Sequence, residues 1–336
     1  MAFIHVKRIG DRKYYTLRIS IRKDGRVITK DICNLGSDIS KIDINSLEKK
    51  YHTEIRKSYN TIHKFIESNH YLEMAKKFKL KSSPYFSNEQ LNEIEAIRIH
   101  FHSRFLKLDK LTQGEVMENF LINFAVNSTS IEGNTITLKQ AHNLFKEDII
   151  PKNKSLREVH DLTNTKKAWD YLYSAKLELN EDLICRIHDM LVENIDQRKG
   201  FRSHNISILG QPFKPSPAMY VAIDLKLLLD WCKKSKGEIH PLALATFFHH
   251  KFENIHPFSD GNGRTGRMIM DYILFQSGYP PMVISRRFRK EYLAALNNAD
   301  KSLAKGLTKV EMEHYKGLVD FIFSQFKLSY WDSFLV

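Results

Sequence analysis

Apolar side chains recur at the spacing of an α-helix through most of this 336-residue chain. Within residues 242–255, and again within residues 268–275, they fall three or four positions apart and so share one helix face. The second run ends at Gly278, which two prolines follow, as expected at a helix terminus. The same spacing predicts further helices within residues 45–125, 164–173, 183–192, 292–296 and 318–326. We therefore predict a mainly α-helical fold.

The first 44 residues follow a different pattern, with a period of two. Alternate residues from Tyr15 to Ile21 are apolar, with Thr, Arg and Ser between them, which is typical of a half-buried strand. Asp24 and Gly25 form a two-residue hairpin turn, and residues 27–33 are the predicted return strand. This pattern predicts a small N-terminal β subdomain with one apolar face and one basic face.

The most distinctive chemistry lies in residues 256–267, between two predicted helices. The glycines at 261 and 263 permit positive φ angles and a close approach of the main chain to a ligand. Backbone amides in such a loop, just before a helix, form an anion-binding site. Arg264 and Arg267 are three residues apart, so on a helix they are neighbours that would hold two phosphoryl groups.

Two further side chains of this segment complete the chemistry. Asp260 offers the hard oxygen ligands that Mg²⁺ prefers. His256 can accept, near neutral pH, the proton that an attacking hydroxyl must lose. Together the residue types predict nucleotidyl or phosphoryl transfer.

The segment resembles the signature of the Fic family, His-x-Phe-x-Asp/Glu-Gly-Asn-Gly-Arg-x-x-Arg, and matches it at every defining position. The resemblance implies a Fic-fold helical bundle that transfers AMP from ATP to a hydroxyl side chain of a protein target. It implies His256 as general base and Asp260 as the ligand of Mg²⁺ or Mn²⁺. The implied phosphate cradle is Gly261, Asn262 and Gly263, with Arg264 and Arg267 on the β- and γ-phosphates.

A second segment resembles the inhibitory motif of the same family, Ser/Thr-x-x-x-Glu-Gly/Asn. Its matching residues are Ser128, Glu132 and Gly133, which follow a helix-like pattern in residues 116–126. The resemblance implies a self-inhibited enzyme in which Glu132 pairs with Arg267 and displaces the γ-phosphate. An ordinary helix terminus with a glycine stop is the alternative interpretation.

Residues 200–215 alternate like a hairpin with a turn near Gly210. They resemble the family's flap, which aligns an extended target segment by main-chain hydrogen bonds, and imply Ile206, Ile208 and Gly210 as the docking residues. A purely structural hairpin is the alternative.

These motifs predict three parts of the chain. Residues 1–44 would form the basic β subdomain, residues 45–110 a helical connecting region, and residues 111–336 the Fic domain, beginning with its inhibitory helix. The implied partner is a protein with a Ser, Thr or Tyr hydroxyl, or this chain itself.

Composition and charge limit the cellular location and the partners that the chain can have. No apolar run is long enough to span a bilayer, the start lacks a signal-peptide core, and three cysteines are widely spaced, so we expect a cytoplasmic protein without a membrane association. The net charge of +13 permits nucleic-acid binding by the basic N-terminal face, although a solvated face is the commoner explanation.

Three alternatives in function stay open at this stage. The same fold could remove AMP from a modified target, with Glu132 orienting a water molecule. The chain could be a regulatory binding module that uses its basic N-terminus on nucleic acid or protein. His249, Glu253 and His256, at helical spacing, also permit a metal hydrolase, although their spacing does not match a zinc-protease motif.

Overall fold

The computed structural model describes residues 1–23, 25–207 and 214–335. Helices dominate these ranges, as the periodicity predicts, and a small antiparallel sheet precedes them. The elements are β1 (Ala2–Ile9), β2 (Arg12–Lys23), β3 (Arg26–Gly36), α1 (Ile44–Ile55), α2 (Tyr59–Ala75), α3 (Asn88–Ser103), α4 (Lys110–Ile131), α5 (Leu138–Glu147), α6 (Leu156–Ser174), α7 (Glu181–Leu191), α8 (Val221–Ser235), α9 (Pro241–Ile255), α10 (Asn262–Gln276), α11 (Arg289–Ala299) and α12 (Met312–Ser333).

The predicted N-terminal hairpin is confirmed, and a third strand joins it. The strand order is β1-β2-β3, with Ile4 opposite Leu17 and Val6 opposite Tyr15. Side chains on this face are buried against α1 and α2, so the sheet and these two helices share one hydrophobic cluster that extends as far as Ile66. Because the apolar face is covered while the other faces water, the alternation in β2 is explained.

The main core lies among the helices from α2 onward, and α9 and α10 are at its centre. From Leu242 to Phe252 every side chain of α9 is buried, and α10 is buried from Arg264 to Leu274. These two helices pack on each other more extensively than any other helix pair of the described ranges. The segment that joins them is therefore anchored at both ends by a buried helix.

Helix termini follow the capping chemistry of the sequence. Ser87 accepts a hydrogen bond from the amide of Gln90, whose side chain accepts one from the amide of Ser87, so the predicted helix start is a complete capping box. Thr137 and Ser155 cap α5 and α6 in the same way. None of the helices in the described ranges combines the length and the apolar character needed to cross a bilayer.

Candidate active site

The segment of residues 256–267 reverses the chain between α9 and α10. His256 ends α9 with φ of 51° and ψ of 61°, in the left-handed region, and Gly261 precedes α10 with φ of 74°. Gly261 therefore has the predicted positive φ. Gly263 does not, because it lies inside α10; there a Cβ atom would collide with the carboxylate of Glu132 and approach the Arg267 guanidinium to 2.8 Å. The second glycine is thus required for space and not for backbone angle.

Two side chains of the segment fix its shape. The Asn262 side chain accepts a hydrogen bond from the Phe258 amide (2.9 Å) and donates one to the Phe258 carbonyl (2.8 Å). The Phe258 ring is fully buried and stacks on His188 at a centroid distance of 3.7 Å. Since the side-chain amide of Asn262 is used in this way, its backbone N–H is the group that we assign to anion binding. His188, from α7, also contacts the Asp260 carbonyl (3.1 Å).

His256 is arranged to accept a proton. Its Nδ1 lies 3.1 Å from the carbonyl oxygen of Glu253. A carbonyl can only accept, so we assign the proton to Nδ1, which leaves Nε2 as the basic nitrogen. Burial lowers the pKa of His256 to about 4, and the neighbouring Arg202 acts in the same direction. The imidazole is therefore neutral at physiological pH.

Glu132 caps α4 and contacts both arginines of the segment. Its Oε1 accepts from Arg267 at 2.7 Å, and its Oε2 accepts from Arg264 at 2.9 Å. Arg267 also donates to the hydroxyl and the carbonyl of Ser128, each at 2.9 Å. The predicted Glu132–Arg267 contact is present, and the Glu132–Arg264 contact is one that the motif does not indicate. Gly133, with φ of 109°, ends the helix.

Arg264 lies among three carboxylates. Besides Glu132, it donates to Asp161 of α6 and to Asp260, the latter at 3.2 Å. Burial opposes the charge of the Arg264 guanidinium, but the three acids outweigh it and raise its pKa. Burial raises the pKa of Asp161 despite the attraction of Arg264. Asp161 is 103 residues from Arg264 and belongs to no motif, so sequence inspection missed it.

Asp260 stays ionised in this setting. Burial alone would raise the pKa of Asp260, but the guanidiniums of Arg264 and Arg157 outweigh burial and lower it. Its side chain keeps about a quarter of its surface exposed toward the cavity. An ionised, partly exposed carboxylate is a suitable donor for Mg²⁺, which takes one or two carboxylates and completes its shell with phosphate oxygens and water.

A cavity of about 480 Å³ opens in front of these groups. Its near wall is the loop, with His256, Asp260 and the two arginines. Its far wall comes from α9 and α11, in a part of the chain that no motif marks; these residues are Asn254, Tyr292, Leu293, Leu296 and Asn297. The volume and the mixed lining are those of a small-molecule site.

The proposed flap is described only in part. Ile206 lies in irregular chain, whereas Ile208 and Gly210 lie outside the described residues. At the base of this segment the buried Arg202 donates from Nε to the carbonyl of His256 (2.8 Å), and its amide donates to the carbonyl of Pro257 (3.0 Å). Residue 202 thus fastens the start of the segment to the loop that carries His256.

The metal-hydrolase alternative finds no support in the geometry. The ring of His249 contacts the Tyr292 hydroxyl. The His250 ring lies between the hydroxyl of Tyr315 (2.8 Å) and the carboxylate of Asp300 (2.9 Å). Within residues 1–23, 25–207 and 214–335, no three His, Cys, Asp or Glu side chains are grouped so that they could hold a metal ion. The helical spacing of these histidines places them in the core, where tyrosines and an acid bind them.

Sequence comparison matches residues 178–274 to the Fic/DOC family. The protein adenylyltransferase fic-1 of Caenorhabditis elegans is 31% identical over 183 residues, which are 53% of this chain and 36% of that protein. The protein adenylyltransferase Fic of Aedes aegypti is 30% identical over 186 residues, with 52% and 36% covered. The chain thus matches little more than a third of the length of these curated relatives.

Structural comparison agrees on the fold. A Fic domain-containing signaling protein from Bacteroides thetaiotaomicron aligns with a TM-score of 0.65 at 23% identity, over 70% of this chain and 93% of that one. A fragment of C. elegans Fic-1, residues 134–508, aligns with a TM-score of 0.57 at 22% identity, over 85% and 84%. The range matched to the family contains α9, the loop that follows it and α10 except for its last two residues. Residues 178–274 are therefore similar to the Fic/DOC family, and the chain has the fold of these Fic structures.

Proposed function

We propose that this protein is a protein adenylyltransferase, which transfers AMP from ATP to a hydroxyl side chain of a protein target. The observation that carries the proposal is the convergence of His256, Asp260, Arg264 and Arg267 on one cavity. The names of the relatives, protein adenylyltransferases at about 30% identity, support the same reaction.

In the proposed reaction the target hydroxyl oxygen attacks the α-phosphorus of ATP. Its proton passes to Nε2 of His256, the nitrogen that the Glu253 carbonyl leaves free. The bond between the α-phosphorus and the bridging oxygen of the β-phosphate breaks, and pyrophosphate leaves. Arg264 and Arg267 would stabilise the charge that develops on pyrophosphate, which is a form of electrostatic stabilisation.

Asp260 is the residue proposed to hold a divalent cation, Mg²⁺ or Mn²⁺. When bound, such an ion neutralises phosphate charge and orients the phosphates. Asp260 fits this role because it is ionised and because its partner Arg157 has a mostly exposed side chain, which can leave the carboxylate without leaving a buried charge behind. The backbone amides of Gly261, Asn262 and Gly263, at the start of α10, are the proposed phosphate cradle.

Glu132 is the proposed inhibitory residue, with Ser128 and Gly133 as its motif partners. Its two oxygens occupy both guanidiniums that the β- and γ-phosphates need. The Ser128 hydroxyl accepts a hydrogen bond from the Arg267 guanidinium, which keeps this group close to α4 and so supports the inhibited arrangement.

The proposed partner is a protein with a Ser, Thr or Tyr hydroxyl, which can be a second copy of this chain. Ile206, Ile208 and Gly210 are the proposed docking residues. The cytoplasm is the proposed location, in keeping with the free thiols of Cys33, Cys185 and Cys232.

Labelled ATP tests the reaction type. The Glu132→Gly variant is incubated with target lysate, Mg²⁺ and ATP labelled either at the α- or at the γ-phosphorus. We expect protein-bound label from α-labelled ATP and none from γ-labelled ATP, because pyrophosphate departs. Protein-bound label from γ-labelled ATP would show phosphoryl transfer instead, and no label from either would refute the proposal.

Removal of AMP is a second candidate, favoured by the position of Glu132. Its carboxylate lines the cavity and keeps about a third of its side-chain surface exposed, so it could orient a water molecule as well as block ATP. Protein labelled by the Glu132→Gly variant is the substrate for the test. Release of AMP by the wild-type protein, but not by Glu132→Gln, would assign this activity; retention of the label with both would exclude it.

The pH dependence of the transfer should report the depressed pKa of His256. Since its pKa is about 4, the base is almost wholly neutral at pH 6, whereas a histidine at the usual value of 6.5 would be only about a quarter neutral. We expect kcat/KM of the Glu132→Gly variant to change by less than about twofold between pH 7.5 and pH 6.

Folding has to be followed in the same pH series. A histidine whose pKa is lower in the folded state than in the unfolded state makes stability fall as the pH falls below 6.5, because the unfolded chain binds the proton more tightly. Thermal unfolding at each pH supplies this control. A fall of kcat/KM to about a quarter at pH 6, with the protein still folded, would contradict the assignment of His256.

A further inference from the structure

Most of the net positive charge of the chain lies in its first quarter. Residues 1–81 contain 19 Lys and Arg against 9 Asp and Glu, so they carry a net charge of +10 out of +13. The remaining 255 residues, which include the whole cavity, carry only +3. Such an asymmetry is the electrostatic footprint of a polyanion-binding part.

This charge is attached to a folded unit with its own core. The buried residues of the sheet, α1 and α2 form a hydrophobic cluster that runs from Ala2 to Ile66 and is distinct from the core around α9 and α10. The surface of this unit is strongly basic. For example, Lys7, Arg8 and Arg12 of the β1–β2 hairpin are exposed. We call residues 1–81 the basic module.

Strands β2 and β3 extend beyond the end of strand β1. Strand β1 begins at Ala2, opposite Ile19, and Met1 still pairs with Ser20, whose amide donates to the Met1 carbonyl at 2.9 Å. In the part of the chain that the structure describes, the next three residue pairs of β2 and β3 have no third strand beside them. These pairs, residues 21–23 with residues 26–28, form a two-stranded projection that we call the ribbon. At about 3.3 Å per residue it reaches roughly 10 Å out.

The ribbon is basic and apolar at once. Arg22 and Arg26 are exposed, and neither forms a salt bridge with a side chain that the structure describes. Val27 is 71% exposed, while Ile21 and Ile28, opposite each other, are 40% and 43% exposed. Ile21 and Ile28 share one face of the ribbon, and Val27 lies opposite Arg22 on the other. A ribbon that served only for solvation would not need three β-branched apolar side chains in water.

We propose that the basic module binds double-stranded DNA, with the ribbon in the major groove. The groove is about 12 Å wide and about 8.5 Å deep, which admits a two-stranded β-ribbon. Arginines on a ribbon can reach phosphates or guanine edges, and apolar side chains can contact thymine methyl groups. Exposed Lys7, Arg8 and Arg12, at the opposite end of the sheet, add contacts to the phosphate backbone.

Two alternative occupants fit less well. Double-stranded RNA has a deep and narrow major groove that protein side chains do not read, so the ribbon could not enter it. An acidic protein would satisfy the charge but gives no reason for a projecting ribbon. An RNA duplex and an acidic polypeptide are therefore included as probes in the binding experiment.

Binding is measured by fluorescence anisotropy on the full-length protein. The probes are a DNA duplex of about 20 base pairs, an RNA duplex of the same sequence, and an acidic polypeptide, at salt concentrations from about 50 to 200 mM. The test variant is Arg22→Glu/Arg26→Glu, on the ribbon. The matched control is Lys226→Glu/Lys234→Glu, which changes the charge equally at exposed positions of α8.

We expect the wild-type protein and the α8 control to bind the DNA duplex within about twofold of each other and the ribbon variant to bind at least roughly tenfold more weakly. The slope of log K against log salt should become shallower by about 2 in the ribbon variant. Circular dichroism is the check that both variants remain folded.

Three outcomes would overturn the proposal. One is equal loss in both variants, which would reflect net charge alone. Another is RNA bound as tightly as DNA, and the third is the acidic polypeptide bound more tightly than either. The assay contains no ATP, so its result is independent of whether AMP transfer is found.

Discussion

Replacing Glu132 by glycine is expected to raise the initial rate of AMP incorporation by about 10- to 100-fold. The carboxylate makes one charge-assisted contact with Arg267 at 2.7 Å and a second with Arg264 at 2.9 Å. A hydrogen bond to a charged group contributes about 1.5–3 kcal/mol, and about 1.4 kcal/mol corresponds to a factor of ten. In the proposed mechanism ATP has to displace these contacts before its phosphates reach the arginines, so removing the contacts should strengthen productive ATP binding.

The backbone position of Glu132 and the space around it can accommodate glycine. Glu132 is the C-cap residue of α4 and not an interior residue, so glycine there costs little helix stability. Its carboxylate lies where a Cβ on Gly263 would be, and the space that it leaves adjoins the start of α10. Because two buried guanidiniums lose a carboxylate partner, the variant should unfold at a lower temperature than the wild type, and rates are compared at a temperature at which both are folded.

Two companion variants separate charge from space. Glu132→Gln keeps the size of the side chain but not its charge, and we expect an intermediate rate. Glu115→Gly makes the same exchange at an exposed position of α4 far from the arginines, and we expect the wild-type rate. If Glu132→Gly has the wild-type rate at ATP concentrations below saturation, Glu132 is a structural cap and the inhibitory interpretation fails.

Arg264 limits how far this activation can go. In the Glu132→Gly variant it still faces Asp161, which is buried beside it, and Asp260. In the proposed mechanism the β-phosphate would share this guanidinium with two acids, whereas Arg267 keeps its hydrogen bonds to the hydroxyl and the carbonyl of Ser128. The two arginines are alike in the motif but different in their surroundings.

The motif residues were predictable because their chemistry is local in sequence. The spacing from His256 to Arg267 encodes a helix end, a loop and a helix start, and the structure has these elements at these positions. The helical periodicity likewise predicted the core helices, since an apolar stripe needs a partner surface. Ser128 and Glu132 were found by their resemblance alone, and the structure places them against Arg267.

What the sequence could not supply are contacts between distant segments. Asp161, Arg157, His188 and Arg202 reach the loop from other parts of the chain, and none stands in a recognisable pattern. The same limit explains the error at Gly263, where the need for a glycine comes from a side chain 131 positions away and not from the local backbone. Local rules predict elements, while tertiary neighbours decide what each side chain does.

Removing the base is expected to have the largest effect of all. In the Glu132→Gly background, His256→Ala should lower the rate of AMP transfer by about 10²- to 10⁴-fold, the usual contribution of a general base. His256 lines the cavity, and Nε2 is its unprotonated nitrogen, since Nδ1 donates to the carbonyl of Glu253. ATP binding, measured by calorimetry, should change little, because the imidazole serves the attacking hydroxyl and not the phosphates.

His256 has a left-handed backbone conformation, with φ of 51°, so alanine there also introduces strain. His256→Asn avoids this difficulty, because asparagine adopts that conformation readily but cannot accept the proton. Both variants should therefore lose transfer while only His256→Ala loses measurable stability. His142→Ala, at an exposed position of α5, should keep both properties. Transfer by His256→Asn within about tenfold of its parent would mean that the base lies elsewhere, because a general base contributes at least about 10²-fold.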